Sequence, residues 1–375
     1  MFRSGVQSPC RLGIEERRSR SVSPATAPTA DFPAQSALDD MEVVTDLSAR
    51  VAAEQEVSSS VLVLSQLVRR TACVEGRRVA ADRQVRRRLH LEIRTCSGGF
   101  GEDGVALVGG DCAGDPVITE PLVDRALNRA RLDHRRAATP EGRLPFVFAN
   151  APAGVITHEL VGHLLETDII VSGGTSLAER MGENVCGVPI TVVDDPTLAG
   201  RWGSFAFDDE GQPSVATPLL RDGVVCGVLT DRARGSVFGA PHCGHNARRA
   251  SHEYVPLPRM SNLVMRRGEE AVDDVLCDLG FGVYRDGLTR GQIDPNTGRF
   301  VLNMTSGRAV RRGKLAESLG PAILTGNVLE ALEEIRAVSS DMDDVQTLCG
   351  KAGQQVLVEM NSPSILVGGL EVARA

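Results

Sequence analysis

Residues 142–168 read GRLPFVFANAPAGVITHELVGHLLETD. The run PFVFA at 145–149 predicts a short buried strand. Asn150 and Pro152 then mark the start of a helix, because proline is favoured in the first helical turn. We expect this helix to run through HELVGHLLE to about Glu166. The strand and helix together carry two histidines and two glutamates, which are the first candidates for chemistry in this chain.

The spacing of the two histidines is unusual. His158 and His163 are five residues apart, whereas the helical zinc motif H-E-x-x-H places its histidines four apart. Positions five apart lie about 140° apart around a regular helix, but a π-bulge would realign them, and Gly162 makes such a distortion easier. Glu159, His163 and Glu166 share one helical face, so Glu159 would lie near a metal held by His163. The six residues alone also fit a helix that carries these side chains by chance.

Composition narrows the class of protein. The chain has 375 residues, 42% hydrophobic and 24% charged, which allows a substantial core and suggests about two structural units. A net charge of −8 and 3% aromatic residues argue against a nucleic-acid-binding surface. No apolar run is long enough for a membrane span, and no secretory signal is evident. With nine cysteines in no framework spacing, we expect a soluble cytoplasmic protein, apparently bacterial from its arginine-rich composition, with reduced thiols.

The order of local patterns predicts an α+β fold. Residues 1–40 are rich in Pro, Ser and Ala without periodicity, and we expect a disordered tail. Residues 41–170 are expected to form a shortened N-terminal α/β domain that ends in the motif helix. Within it, RLHLEIRT at 88–95 alternates apolar and polar residues, which is typical of a strand with one buried face. Residues 171–375 combine short β-like runs with Gly and Asp turns, which predicts a larger domain rich in antiparallel strands.

A family resemblance covers about residues 75–370. The opening segment, with SGGTSLAERMGENV after it, resembles the TldD/PmbA metallopeptidase family, and the five-residue histidine spacing is that family's own form. Later matches keep the family's order: TVVDDPTLAGRWGSFAFDDEGQP, LLRDGVVCGVLTDR, HNARRASHEYVPLPRMSNLVM, RGQIDPNTGRFVL and CGKAGQQVLVEMNSPSILVGGL.

The resemblance implies a site and an activity. It implies one zinc ion held by His158, His163 and Cys349, with Glu159 as general base. It also implies hydrolysis of unfolded peptides or modified-peptide precursors by a homodimer, or by a heterodimer with a related subunit. Three protein ligands would leave zinc an open position for water, whose proton a nearby carboxylate can accept. An extended peptide could bind by strand addition to an exposed sheet edge.

Other residues near the motif have less certain roles. Glu166 could support a ligand from behind. Lys351, two residues after Cys349, could act beside the metal or stabilise an oxyanion, but we favour a surface lysine. We expect Cys349 in a tight loop that Gly350 and Gly353 permit.

Alternatives remain at the level of the site and of the whole protein. PHCGHN at 241–246 could form a second metal cluster, although no further ligand is evident. The chain could be a non-catalytic or regulatory partner subunit, because the family includes subunits without the metal motif. It could also be a zinc hydrolase of a non-peptide amide.

Overall fold

The structure is a computed structural model that describes residues 34–75, 78–108, 116–133, 136–235 and 244–374. Its α-helices are α1 (Ala34–Ala52), α2 (Pro116–Asp133), α3 (Asn150–Thr157), α4 (Thr167–Gly173), α5 (Arg232–Gly235), α6 (Val272–Leu279) and α7 (Val328–Glu333). Its strands are β1 (Val57–Glu75), β2 (Arg78–Thr95), β3 (Phe100–Val108), β4 (Gly142–Phe148), β5 (Val192–Asp194), β6 (Thr217–Arg221), β7 (Val224–Val225), β8 (Ala247–Arg248), β9 (Leu257–Pro258), β10 (Asn262–Met265), β11 (Phe281–Ile293), β12 (Arg299–Arg311), β13 (Lys314–Leu319), β14 (Ala322–Asn327), β15 (Ile335–Val338), β16 (Asp343–Lys351), β17 (Gln354–Ser362) and β18 (Ile365–Arg374). None of the helices in these ranges is long and apolar enough to cross a bilayer.

Three antiparallel strands and two helices form the N-terminal unit. β1 and β2 make a long hairpin, and β3 pairs with the other edge of β2. Leu89, Leu91 and Ile93 on β2 are fully buried, which confirms the predicted half-buried strand. α1 and α2 cover this face of the sheet, where Leu47 and Leu122 pack against the strand side chains.

α1 begins at Ala34, inside the stretch predicted to be a tail. Leu47 and Val51 anchor the helix in the N-terminal core. Residues 34–41 include several good helix formers, so a helix anchored at its later turns extends back through them. Residues 1–33 lie outside the described residues, and the tail stays a prediction for them.

Two large sheets and the short antiparallel pair of β8 and β9 lie in the larger C-terminal unit. The first has the strand order β16-β17-β10-β5-β6-β7 and is antiparallel except for the β10–β17 pair. In the second, β11, β4, β18, β14 and β12 pair in that order, and β12 pairs back with β11, so the five strands close into a barrel. β13 extends the barrel beside β12, and β15 pairs with β18. The predicted α+β fold with a larger, antiparallel-rich part is confirmed.

β4 and α3 lie with the C-terminal sheets. β4 is hydrogen-bonded between β11 and β18, and α3 packs on β11, β16 and β17. We therefore propose a domain boundary near residue 140 instead of the predicted one at residue 170. The partners of β4 come from residues 281–374, and no local pattern around 145–149 reveals such a distant pairing.

The β1–β2 hairpin joins the two units. Arg86 on β2 is buried and donates to the backbone carbonyls of Trp202, at 2.9 Å, and Ser204, at 3.0 Å. Arg69 on β1 forms an ion pair with Asp209, with 2.5 Å between Nη2 and Oδ1. These contacts hold the N-terminal sheet against the loops of the C-terminal unit.

Candidate metal centre

The motif helix changes its winding at the first histidine. α3 ends at Thr157, one π-helical turn follows over His158–Gly162, and a 3-10 turn follows over His163–Leu165. The backbone N–H of His163 donates to the carbonyl of His158, which places the two residues one wide turn apart. Their ring centroids are 4.7 Å apart. The predicted π-bulge is confirmed, and it solves the spacing problem of the motif.

Packing explains the glycine at position 162. The predicted explanation was that Gly162 makes distortion of the helix easier. Its φ is −57°, which is ordinary right-handed helix. A Cβ atom at this position would overlap the side chain of Met260, which is fully buried. The glycine therefore lets Met260 pack directly against the backbone of the π-turn.

Cys349 reaches the histidines from β16. Its Sγ lies 3.2 Å from Nε2 of His158 and 3.3 Å from Nε2 of His163. The predicted tight loop at Cys349 is wrong, because the chain there is extended and the turn follows at Ala352 and Gly353, with φ of 51° and 74°. The strand register, and not a loop, aims the thiol at the motif.

These three side chains fit a zinc ion. Imidazole nitrogen and cysteine sulfur are the usual zinc donors, with bonds of about 2.0–2.1 Å and 2.3 Å. Tetrahedral coordination at those bond lengths would separate nitrogen from sulfur by about 3.6 Å, close to the distances found here. Of the described residues, His158, His163 and Cys349 form one of two groups whose three potential ligand atoms lie within 4.8 Å of one another. The group is largely buried.

The ligands shift one another's pKa. Burial raises the pKa of the Cys349 thiol, but the charges of His158 and His163 outweigh burial and hold this pKa well below its usual value. Burial lowers the pKa of His163, but Glu166 and Cys349 outweigh it and hold this pKa well above its usual value. The thiolate is the form of cysteine that binds metals, and metal binding would release the imidazole proton.

Glu159 lies on the π-turn between the two histidines. Burial raises the pKa of its carboxyl group, against the lowering effect of the charges of His158 and His163. A Cβ atom added to Gly291 of β11 would lie 2.7 Å from Cγ of Glu159. β11 therefore runs directly over the carboxylate, and only a glycine allows that approach.

Glu166 lies behind His163. Its Oε2 is 2.8 Å from Nδ1 of His163, and its side chain is fully buried. A proton on Nδ1 donated to this carboxylate leaves Nε2 free to face Cys349. Burial raises the pKa of Glu166, but the charges of His163 and Lys351 outweigh it and lower the pKa to about 2. Glu166 thus lies where it can orient a ligand from behind.

The favoured interpretation of Lys351 as a surface lysine is wrong. Its side chain is 13% exposed. Nζ donates to Oε2 of Glu166 at 2.9 Å, to Oδ1 of Asp168 at 2.9 Å and to the carbonyl of Pro258 at 2.6 Å. These three bonds use all the protons of the ammonium group, so none is left for an oxyanion. Alternation along β16 places Lys351 on the same face as Cys349, so the strand delivers both the thiolate and this cation.

Arg259 was missed by the sequence analysis. The side chain is fully buried; Nη2 donates to the carbonyl of Cys349 at 2.5 Å, and Nε lies 4.0 Å from Oε1 of Glu166. A single arginine between a proline and a methionine belongs to no motif with a recognisable spacing. Its partners lie about 90 residues away on either side. Local sequence could not have identified it.

Two other groups of residues have side chains of the kinds that bind metals. From the PHCGHN stretch, His245 is described, and its Nδ1 lies 2.7 Å from the carbonyl of Pro213. The other histidine and the cysteine of that stretch lie outside the described residues, so a cluster there stays untested. His90, Glu92 and Glu102 also lie close together, but on an exposed sheet face, where such groups are common without a metal.

Comparison with known families identifies the group to which the chain belongs. Residues 141–374 match the PmbA/TldA metallopeptidase C-terminal domain. This match covers more than half of the chain, so the chain belongs to the TldD/PmbA metallopeptidase family.

Relatives of known description support this assignment. The chain is 32% identical over 249 residues to the metalloprotease TldD homolog of Haemophilus influenzae, covering 66% of this chain and 52% of that protein. It is 28% identical over 248 residues to the zinc metalloprotease TldD homolog of Saccharolobus solfataricus, covering 66% and 55%. The chain spans about half the length of the curated relatives it matches.

Solved structures share the fold. A Thermotoga maritima protein described as a candidate modulator of a DNA gyrase superposes with a TM-score of 0.72 at 20% identity, covering 89% of this chain and 73% of that one. TldE from Thermococcus kodakarensis gives a TM-score of 0.61 at 18% identity, covering 95% and 77%. At these identities the likeness establishes the fold alone.

Proposed function

We propose that this protein is a zinc-dependent metallopeptidase. The observation that carries the proposal is the convergence of Nε2 of His158, Nε2 of His163 and Sγ of Cys349, with Glu159 on the same π-turn. Membership of a metallopeptidase family supports the reaction class, and the name of the Saccharolobus solfataricus relative supports zinc.

The residues divide the work of hydrolysis. A bound zinc ion would activate water and polarise the scissile carbonyl. Glu159 accepts the proton of the attacking water and passes it to the leaving amine. Glu166 holds His163 with Nε2 facing the site, and Lys351 holds Glu166. Burial raises the pKa of the Glu159 carboxyl group, which suits a group that must both take and return a proton.

The substrate is proposed to be an extended peptide, either unfolded or a modified-peptide precursor. β11 pairs with β4 over residues 283–285, whereas it pairs with β12 as far as Ile293. In the described residues, the β4-side edge of β11 has no strand partner over residues 287–293. Gly291, within this segment, lies against the side chain of Glu159. A peptide added to this edge would present its backbone carbonyls to the site with little dependence on side chains.

Partners and location are also proposals. We propose a homodimer or a heterodimer with a related subunit, on the basis of membership of the TldD/PmbA family. The free thiols among the described cysteines, Cys349 included, are consistent with a reducing cytoplasm. The complete ligand set argues against a non-catalytic or regulatory subunit.

The test combines metal analysis with a peptide assay. Protein purified without chelator should contain one zinc ion per chain, and it should cleave an unfolded protein digest only when the metal is retained. A parallel assay on small non-peptide amides separates the peptidase from a general amide hydrolase. Protein with no bound transition metal, or with two ions per chain, would contradict the proposed centre.

A further inference from the structure

We propose that Arg259 is a positioning residue for the metal centre, fixing the Cys349 strand relative to the motif helix and balancing the buried charge of Glu166. This inference rests on the proposed metal site. It assigns to Arg259 an effect on metal binding that a merely structural arginine would not have.

Arg259 is a cation in fully buried surroundings. A guanidinium stays charged in a protein, and its complete burial is unfavourable without a compensating charge. One nitrogen, Nη2, donates to the carbonyl of Cys349. Among the described residues, Nε and Nη1 have no hydrogen-bond partner, and Oε1 of Glu166 also lacks one. The carboxylate 4.0 Å from Nε is therefore the compensating charge.

Arg259 lies in a segment that contacts both halves of the metal centre. Cys349 and the motif helix are about 190 residues apart in sequence, and the metal requires their donor atoms to be held within a few tenths of an ångström. Three consecutive residues bridge them. Pro258 accepts from Lys351 through its carbonyl, Arg259 contacts Cys349 and Glu166, and Met260 packs on the π-turn at Gly162. The segment 258–260 thus contacts both halves of the centre.

The buried carboxylates behind the metal centre need two positive charges. Glu166 is fully buried and Asp168 is mostly buried. Lys351 is bonded to both carboxylates, so its single charge cannot neutralise the pair. Arg259 supplies the second positive charge. Two carboxylates then face two cations, and the group is neutral before any charge on His163 is counted.

The chain provides a matched control in Arg285. This side chain is also fully buried. Its Nη1 donates to the carbonyl of Gly320 at 3.3 Å and its Nη2 to Oγ1 of Thr139 at 3.1 Å. Neither partner belongs to the metal centre. Replacing either arginine by methionine removes a fully buried guanidinium, but only Arg259 contacts the metal centre.

The experiment compares Arg259→Met with Arg285→Met in the full chain. Zinc affinity is measured by competition with a chromophoric chelator, the cobalt-substituted protein is examined for its thiolate charge-transfer band, and Tm is recorded without metal. Both variants should have a lower Tm. Only Arg259→Met should bind zinc about 10–100-fold more weakly, the usual effect of losing a residue that supports a ligand, and shift the cobalt band. Equal zinc affinities for the two variants would overturn the inference.

Arg259→Lys keeps the charge and loses the planar fork. It should bind zinc with an affinity between those of wild type and Arg259→Met. If Arg259→Met fails to fold, the test moves to Arg259→Lys against Arg285→Lys, and unchanged zinc affinity in both would reject the inference. Failure of the wild type to bind zinc at all would instead reject the proposed function.

Discussion

The Sδ atom of Met260 occupies the space that a Cβ atom on Gly162 would need. One residue is in the motif, and the other lies about 100 residues later in the segment that also carries Arg259. Their contact ties the π-turn to the strands behind it. The motif geometry therefore depends on packing against a distant segment of the chain and not on the helix alone.

Gly162→Ala tests this contact. The added methyl group must displace Met260 or the π-turn, so we expect a loss of about 1–3 kcal/mol in the free energy of unfolding, together with weaker zinc binding. Met260→Ala makes room for the methyl group. The loss of unfolding free energy in the double variant should therefore be smaller than the sum of the losses in the two single variants. Urea unfolding of the four proteins measures this coupling. Strictly additive losses would show that the two residues do not compete for space.

Glu159→Gln separates the base from the ligands. The amide cannot accept the water proton, so hydrolysis should fall by about 100-fold or more. Zinc content should stay at one per chain, because Glu159 is not among the three ligands. Metal analysis and a peptide assay on the same preparation give both results. Loss of the metal in this variant would make Glu159 a ligand and refute the assigned role.

Gly291→Ala should disturb Glu159 from the opposite side. The new Cβ atom would meet Cγ of Glu159 at 2.7 Å and Cδ2 of Leu302 at 2.9 Å, and the carboxylate must move. We expect activity to fall at least about 10-fold with zinc retained, since misplaced catalytic groups lose rate steeply. Gly350→Ala is the matched control, because a Cβ atom there meets nothing within 4 Å. Equal activities in the two variants would show that the absence of a side chain at Gly291 does not matter for the position of Glu159.

Lys351 and Lys314 are the two lysines of the chain, which allows a direct comparison. Lys351→Met leaves Glu166 and Asp168 without their shared cation, and we expect zinc affinity to fall about 10-fold. Lys314→Met, at an exposed strand position, should leave zinc affinity unchanged. Competition with a chelator measures the zinc affinity of both variants. A normal affinity in Lys351→Met would show that this residue does not support the metal ligands.

The sequence predicted what depends on local spacing. The five-residue gap between His158 and His163 called for a π-bulge, and the alternation over 88–95 called for a half-buried strand; both are present. The long-range contacts were not predictable. Nothing near Cys349 shows that it lies on a strand, and nothing near Arg259 shows that it lies under Cys349, because those positions follow from pairings between distant segments.

Cys349 completes the proposed metal site, and cobalt substitution reports on this role through the spectrum of the bound ion. Cobalt bound to a thiolate gives an intense near-ultraviolet charge-transfer band. Cys349→Ser should lose this band together with zinc affinity and activity. Cys186→Ser is the control, because Cys186 is not among the grouped potential ligands of the described residues, and burial raises the pKa of its thiol to about 12; this variant should keep the band and lose at most some stability. A band that persists in Cys349→Ser would show that another cysteine holds the metal, and would contradict the account.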